Sequence, residues 1–110
     1  MRILFLLLIL AGCARHHQTN YTVSPGESFS VDHLSNPSTG YRWNVSTGDA
    51  VRLDSSRFVQ NSAPEGCTGV GGHETHWFTA LHQGLDTVTF VYSRGDGVGV
   101  ETRRYSVWVR

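Results

Sequence analysis

Lysine is absent from this sequence of 110 residues, cysteine occurs twice, and helical periodicity is missing. Each absence excludes something. Nine arginines balance nine acids, so no net field draws in nucleic acid or an anionic substrate, and no nucleic-acid partner is expected. The cysteines are Cys13 and Cys67. With Cys13 taken up at the N-terminus, as argued next, no internal disulfide is available and packing alone must hold the fold. No segment repeats apolar residues at three and four positions between caps, so helical bundles and alternating strand–helix folds are set aside. Internal repeats and low-complexity tracts are also missing.

What is present begins with a short apolar run. Arg2 precedes residues 3–10, and the small residues Ala11 and Gly12 lead to Cys13. That is the layout of a secretory signal, too short to span a bilayer. The run Leu10-Ala11-Gly12-Cys13 resembles the bacterial lipoprotein signal, in which the cysteine becomes the acylated first residue. The expected organisation is a signal over residues 1–12, a lipidated tether over 13–20 and one domain over 21–110. Acyl chains on Cys13 would hold the protein at a membrane. A bacterial cell-envelope location follows. Ala14 offers no retention signal, which favours the periplasmic face of the outer membrane.

The remainder reads as short runs rich in Val, Thr, Phe, Tyr and Trp, punctuated by Gly, Pro, Asn and Asp. Strands are expected over 21–24, 27–34, 41–46, 50–59, 75–82, 86–93 and 101–109, with a break near Ser55-Ser56. Alternation gives apolar faces with Phe29 and Val31, with Tyr41, Trp43 and Val45, with Val51, Leu53 and Phe58, with Val88, Phe90 and Tyr92, and with Tyr105, Val107 and Val109. Core packing is expected to take up most of the aromatics, Trp77 and Phe78 among them, and Trp108 falls out of phase. Seven to eight antiparallel strands with one apolar face each make an all-β fold, an immunoglobulin-like β-sandwich, with a barrel as the alternative.

Loop length is segregated. Antiparallel strands reverse direction, so alternate connections share an end. One end receives the tight turns at Thr47-Gly48 and Gln83-Gly84-Leu85. The other receives the long connections 35–40, 60–74 and 94–100, rich in glycine. Long loops on a rigid scaffold are where binding resides. The first of them is built stiff. Asn36 can form an Asx turn, Pro37 fixes φ and Gly40 can take positive φ, which leaves Ser38 and Thr39 at the tip with free hydroxyls. Such a loop loses little entropy on docking.

The stretch Asn36-Pro37-Ser38-Thr39-Gly40-Tyr41, with Trp43 beyond it and Gly69-Val70-Gly71-Gly72 some thirty residues on, resembles the chagasin family. These are inhibitors of papain-like cysteine peptidases with an immunoglobulin-like fold. Ser38 stands where the family's first motif has Thr. The third motif, Arg-Pro-Trp, keeps only Arg94, followed by Gly95 and Asp96. The resemblance implies a reversible inhibitor, not an enzyme, whose three loops enter the cleft of a papain-like peptidase. It puts the loop at 36–41 over the catalytic Cys and His, brings the backbone of Gly69, Val70, Gly71 and Gly72 close to the enzyme, and sends Arg94 to the far side of the cleft. The missing Pro-Trp implies weaker or narrower inhibition. The free protein is expected to be a monomer that needs no cofactor.

Other constellations carry less. In "HETHWFTALH", starting at His73, Trp77 stands where a zinc-peptidase helix needs its second His, and His73 and His76 fall on opposite faces of a strand, so no metal is expected. Cys67 has no held base beside it and reads as a free loop thiol. Arg94-Gly95-Asp96 matches an adhesion tripeptide, and an envelope binding or adhesion module without inhibitory activity is the alternative to inhibition.

Overall fold

The computed structural model of the chain describes residues 20–62, 65–66, 70–95, 97 and 99–110. The signal, Cys13 and the tether up to Thr19 lie outside the described residues, as do Cys67, Gly69 and Asp96, while Asn20, expected to end the tether, opens the first strand. Seven strands run in order: β1 (Asn20–Val23), β2 (Ser28–Ser35), β3 (Tyr41–Ser46), β4 (Val51–Gln60), β5 (Gly72–Ala80), β6 (Gly84–Arg94) and β7 (Gly99–Val109). They form a four-stranded sheet, β1-β7-β6-β3, against a three-stranded sheet, β2-β5-β4. This is the immunoglobulin-like sandwich expected from the period-two pattern.

One pair departs from the antiparallel expectation. β1 runs parallel to β7, Asn20 opposite Ser106 and Val23 opposite Val109. The turn at Pro25-Gly26 sends the chain from β1 in the four-stranded sheet to β2 in the other, so β1 closes an edge without forming a hairpin. The irregularity in β4 falls between Leu53 and Ser55, one residue before the expected break.

The core lies where the alternation put it in most strands, but Leu53, Phe58 and Trp77 are not part of it. Val31, Trp43, Phe78, Val88, Phe90, Val107 and Val109 are buried, and Phe29, Val45, Tyr92 and Tyr105 pack against them. The ring of Phe29 stacks on Phe78 at 5.1 Å, and Phe78 meets Phe90 edge-on at 6.1 Å. β4 contributes little beyond Val51. Phe58 stays 37% exposed, and Trp77 on β5, adjacent in sequence to the buried Phe78, points outward at 37%. Trp108 lies on an outer face, out of phase with its neighbours as the sequence implies.

Candidate functional site

The register brings three loops to one end. In the three-stranded sheet Ser35 and Gln60 both pair with Gly72. In the four-stranded sheet Tyr41 pairs with Arg94, and Ser93 with Gly99. The connections leaving these residues, 36–40, 61–71 and 95–98, therefore emerge side by side. Short turns occupy the opposite end.

The first loop is one tight 3-10 turn, Pro37–Thr39. The Thr39 N–H donates to the Asn36 carbonyl at 3.1 Å, and the Gly40 N–H donates to the Pro37 carbonyl at 2.9 Å. Gly40 ends the turn at φ 88°, a left-handed conformation that disfavours a Cβ. Ser38 and Thr39 are exposed at the tip, but their hydroxyls are not free. Ser38 Oγ donates to Asn36 Oδ1 at 2.6 Å, and Thr39 Oγ1 donates to the Asn36 carbonyl at 2.7 Å. Asn36 makes no side-chain cap to the backbone. The expected Asx turn is replaced by a brace: the tip hydroxyls turn their protons inward and leave their lone pairs outward.

Two aromatic side chains of the four-stranded sheet hold the base of this loop, which belongs to the other sheet. Trp43 Nε1 donates to the Leu34 carbonyl at 2.9 Å. The Asn36 N–H donates to the Tyr92 hydroxyl at 3.0 Å. Tyr92 packs on Trp43 at 4.7 Å between ring centroids and on Tyr41 at 5.3 Å. The Arg94 guanidinium lies 5.4 Å above the Tyr41 ring, in cation–π range. A ladder of rings thus connects Arg94 at the rim to the core. Tyr92 reads in the sequence as one more core aromatic. Its hydroxyl was the signal that it had a polar partner, since a half-buried phenol needs one.

The second loop closes on itself. The Asn61 N–H donates to the Gly71 carbonyl at 3.0 Å, and Gln60 Nε2 donates to the Val70 carbonyl at 3.4 Å. Gly72 is buried at the start of β5, not presented to a partner. A Cβ there would stand 2.1 Å from the Val59 carbonyl oxygen, so the glycine is demanded by strand packing. At Gly71 a Cβ would come 3.1 Å from the Ser35 carbonyl oxygen, which places this residue directly against the root of the first loop. Between the two roots runs an open groove of ≈ 410 Å³ lined by Leu34, Asn36, Asn61, Gly71 and Tyr92. In the third loop the Gly97 N–H donates to the Arg94 carbonyl at 2.9 Å. Of the expected site residues, Asn36 to Tyr41, Val70, Gly71, Gly72 and Arg94 thus share this end, and Gly69 lies outside the described residues.

Beneath the loops sits a polar group that the sequence does not betray. His33 is buried, stacked on Trp43 at 4.5 Å and edge-on to Phe90 at 4.4 Å. Its Nε2 shares a 2.6 Å hydrogen bond with the Tyr105 hydroxyl. Burial first, then the charge of Arg103 and the nearby His76, lowers its pKa to about 4, against the opposing pull of Glu101 and Asp32. Burial also lowers the pKa of His76, although Glu74 lies 3.6 Å from its Nε2. The Nδ1 atoms of both histidines find no hydrogen-bond partner among the described residues. These histidines are neutral core members, and His73, on the opposite face of β5, is exposed.

The site therefore offers a braced rim in which, among the described residues, no nucleophile is paired to a base, and it is suited to occlusion. The family model described as "Chagasin family peptidase inhibitor I42" matches residues 22–109. Among solved structures, the cysteine protease inhibitor EhICP2 from Entamoeba histolytica is 26% identical over 84% of this chain and 87% of its own, with a TM-score of 0.73. The solution structure of amebosin is also 26% identical, over 84% of this chain and 89% of its own, with a TM-score of 0.68. No curated protein sequence matches the chain.

Proposed function

We propose that this chain, which belongs to the chagasin family of peptidase inhibitors, inhibits papain-like cysteine peptidases reversibly by laying its three-loop rim into the active-site cleft. The carrying observation is the braced loop at residues 36–40, set beside its two neighbours at one end of the sandwich. A peptidase of this class carries a thiolate–imidazolium pair. The outward lone pairs of Ser38 and Thr39 can accept hydrogen bonds from that imidazolium, while the 3-10 turn keeps the Asn36 and Pro37 carbonyls in internal hydrogen bonds instead of extended across the thiolate. No bond is made or broken by the inhibitor. Gly71 supplies close-approaching backbone beside the first loop, and Arg94, spread over Tyr41, supplies a cation at the rim.

We further read the protein as a monomeric lipoprotein anchored through Cys13 at the periplasmic face of the outer membrane. The Leu-Ala-Gly-Cys signal supports this. Detergent-phase partition that is lost in Cys13→Ser tests it.

Titration against papain tests the inhibitory reading. Tight reversible inhibition is expected, with a loss of at least about thirtyfold in Thr39→Arg, since a bulky charge at a buried contact costs roughly 2–4 kcal/mol. The circular dichroism of that variant should be unchanged, because Thr39 is exposed. Absence of inhibition by the wild-type protein would favour an envelope binding module instead.

A further inference from the structure

The two outer faces of the sandwich differ in charge. On the three-stranded sheet, acids and bases are mixed: Asp54 pairs with Arg52 at 2.8 Å, and Asp32 faces His73 at 3.4 Å. On the four-stranded sheet, alternation points Arg42 and Arg104 outward, and among the described residues no carboxylate shares that face. Asp86 of β6 is buried, and Glu101 of β7 turns to the inner side, paired with Arg103. The same face exposes apolar groups in register. Trp108 (51% exposed) lies opposite Leu85 (75% exposed) on one side and Thr22 on the other. The Arg110 guanidinium lies 4.5 Å above the Trp108 ring.

We propose that the outer face of the β1-β7-β6-β3 sheet rests on an anionic lipid bilayer. Trp is suited to the interface between headgroups and acyl chains, and arginines without neighbouring acids are suited to anionic headgroups. The chain outside the described fold points to the same occupant. Asn20 lies at the edge of this face, opposite Ser106. Seven residue steps separate Asn20 from Cys13, a reach of at most about 25 Å when fully extended. An acyl group on Cys13 therefore keeps this face within reach of the membrane, so this part of the inference rests on the lipoprotein reading. Gly99 is seven residues from Ser106 along β7, so the rim stands roughly 24 Å from Asn20. With the sheet lying flat, the strand ends that carry the rim point sideways, along the lipid surface and not into it.

The test uses the full-length lipidated protein in phosphatidylcholine vesicles with and without phosphatidylglycerol, whose acyl chains carry bromine near the headgroup. Trp108→Phe gives the background from Trp43 and Trp77. Bromine quenching of Trp108 in the anionic vesicles is expected, falling in Arg104→Glu and Leu85→Glu, while papain inhibition by both variants stays unchanged. Unquenched Trp108 overturns the proposal, as does a change of oligomeric state in Leu85→Glu, which would mark the face as a contact between copies. Should Cys13 prove unacylated by mass, the lipoprotein reading fails separately. The unanchored chain is then sedimented with phosphatidylglycerol vesicles: binding that drops about tenfold or more in Arg104→Glu supports the face, and no binding overturns it.

Discussion

The two ends of the sandwich are held by different chemistry. At the closed end backbone bonds to backbone: the Gly26 N–H donates to the Ala80 carbonyl at 2.7 Å and the Leu81 N–H to the Ala50 carbonyl at 2.8 Å. One buried carboxylate finishes it, with Asp86 Oδ1 accepting from the Gly48 N–H at 2.7 Å and Oδ2 from the Ala50 N–H at 3.1 Å. Gly48 fits because a Cβ would stand 2.6 Å from Asp86 Oδ1. At the open end the first loop is joined to the facing sheet by aromatic side chains, through Trp43 Nε1 and the Tyr92 hydroxyl. The closed end bears on stability, because the Asp86 carboxylate and the Ala50 N–H are buried and cannot turn to water. The open end bears on recognition, because its bonds set the posture of an exposed turn.

Breaking the closed end should give the largest effect. Asp86→Ala leaves the buried Ala50 N–H unsatisfied and frees the exposed Gly48 N–H to water, and the loss of a buried, hydrogen-bonded carboxylate is expected to lower stability by about 2–4 kcal/mol. A lower urea midpoint with an unchanged slope checks it. The inhibition constant per folded molecule should not move. If it did, the two ends would be coupled and the comparison would fail.

Acid probes the region between the ends. His33 and His76 have lower pKa values folded than unfolded, so the unfolded chain binds more protons below about pH 6.5. Their contribution is intact above that pH and is lost as pH falls towards the folded value of about 4 for His33. The slope for His33 alone approaches about 1.4 kcal/mol per pH unit within that window. Urea midpoints from neutral pH down to about pH 4.5 should show the decline, and His33→Phe should flatten it. A flat wild-type profile would mean that these imidazoles are not neutral in the core.

Breaking the open end should separate recognition from stability. Tyr92→Phe keeps the ring stack and removes the acceptor of the Asn36 N–H. Asn36 is only half-buried, so water can take over the bond, and a stability loss of about 1 kcal/mol or less is expected. The loop then has to be ordered on binding, and about tenfold weaker inhibition, mostly in the dissociation rate, is expected from stopped-flow progress curves. Equal loss in both measurements would make Tyr92 simply a core residue.

Much of this contrast was legible in the sequence, because period-two alternation dictates which side chains face inward. Phe90, Val107 and Trp43 could be placed on the core before any coordinates, and so could the gathering of 35–40, 60–74 and 94–100 at one end. What was not legible depends on atoms meeting across sheets. His33 alternates like any strand residue, and nothing local says that its ring lies between Trp43 and Tyr105. Asp86 reads as the first residue of the strand expected over 86–93, yet its carboxylate reaches residues 48 and 50. Gly72 carried a functional reading from its motif, while its lack of a Cβ serves the Val59 carbonyl in the next strand. The parallel pairing of β1 was hidden for the same reason: four residues of strand pattern do not state which sheet they join.

The smallest change asks whether the first loop needs proline at all. Pro37 opens the 3-10 turn, where a fixed φ suits the conformation and no N–H is required for the turn's own bonds. Pro37→Ala keeps both turn bonds and both hydroxyl braces, since none of them uses the proline nitrogen. The unfolded chain gains freedom, and stability should fall by about 0.4–1 kcal/mol. If the braces from Ser38 and Thr39 to Asn36 are what keep the tip in shape, inhibition of papain should weaken no more than about threefold. If instead affinity falls by tenfold or more, stiffness resides in the pyrrolidine ring, and Tyr92 and Trp43 merely position a turn that the proline shapes. Combining Pro37→Ala with Tyr92→Phe decides between these: additive losses mean that the ring and the phenol act on separate steps, and a shortfall means that they restrain the same motion.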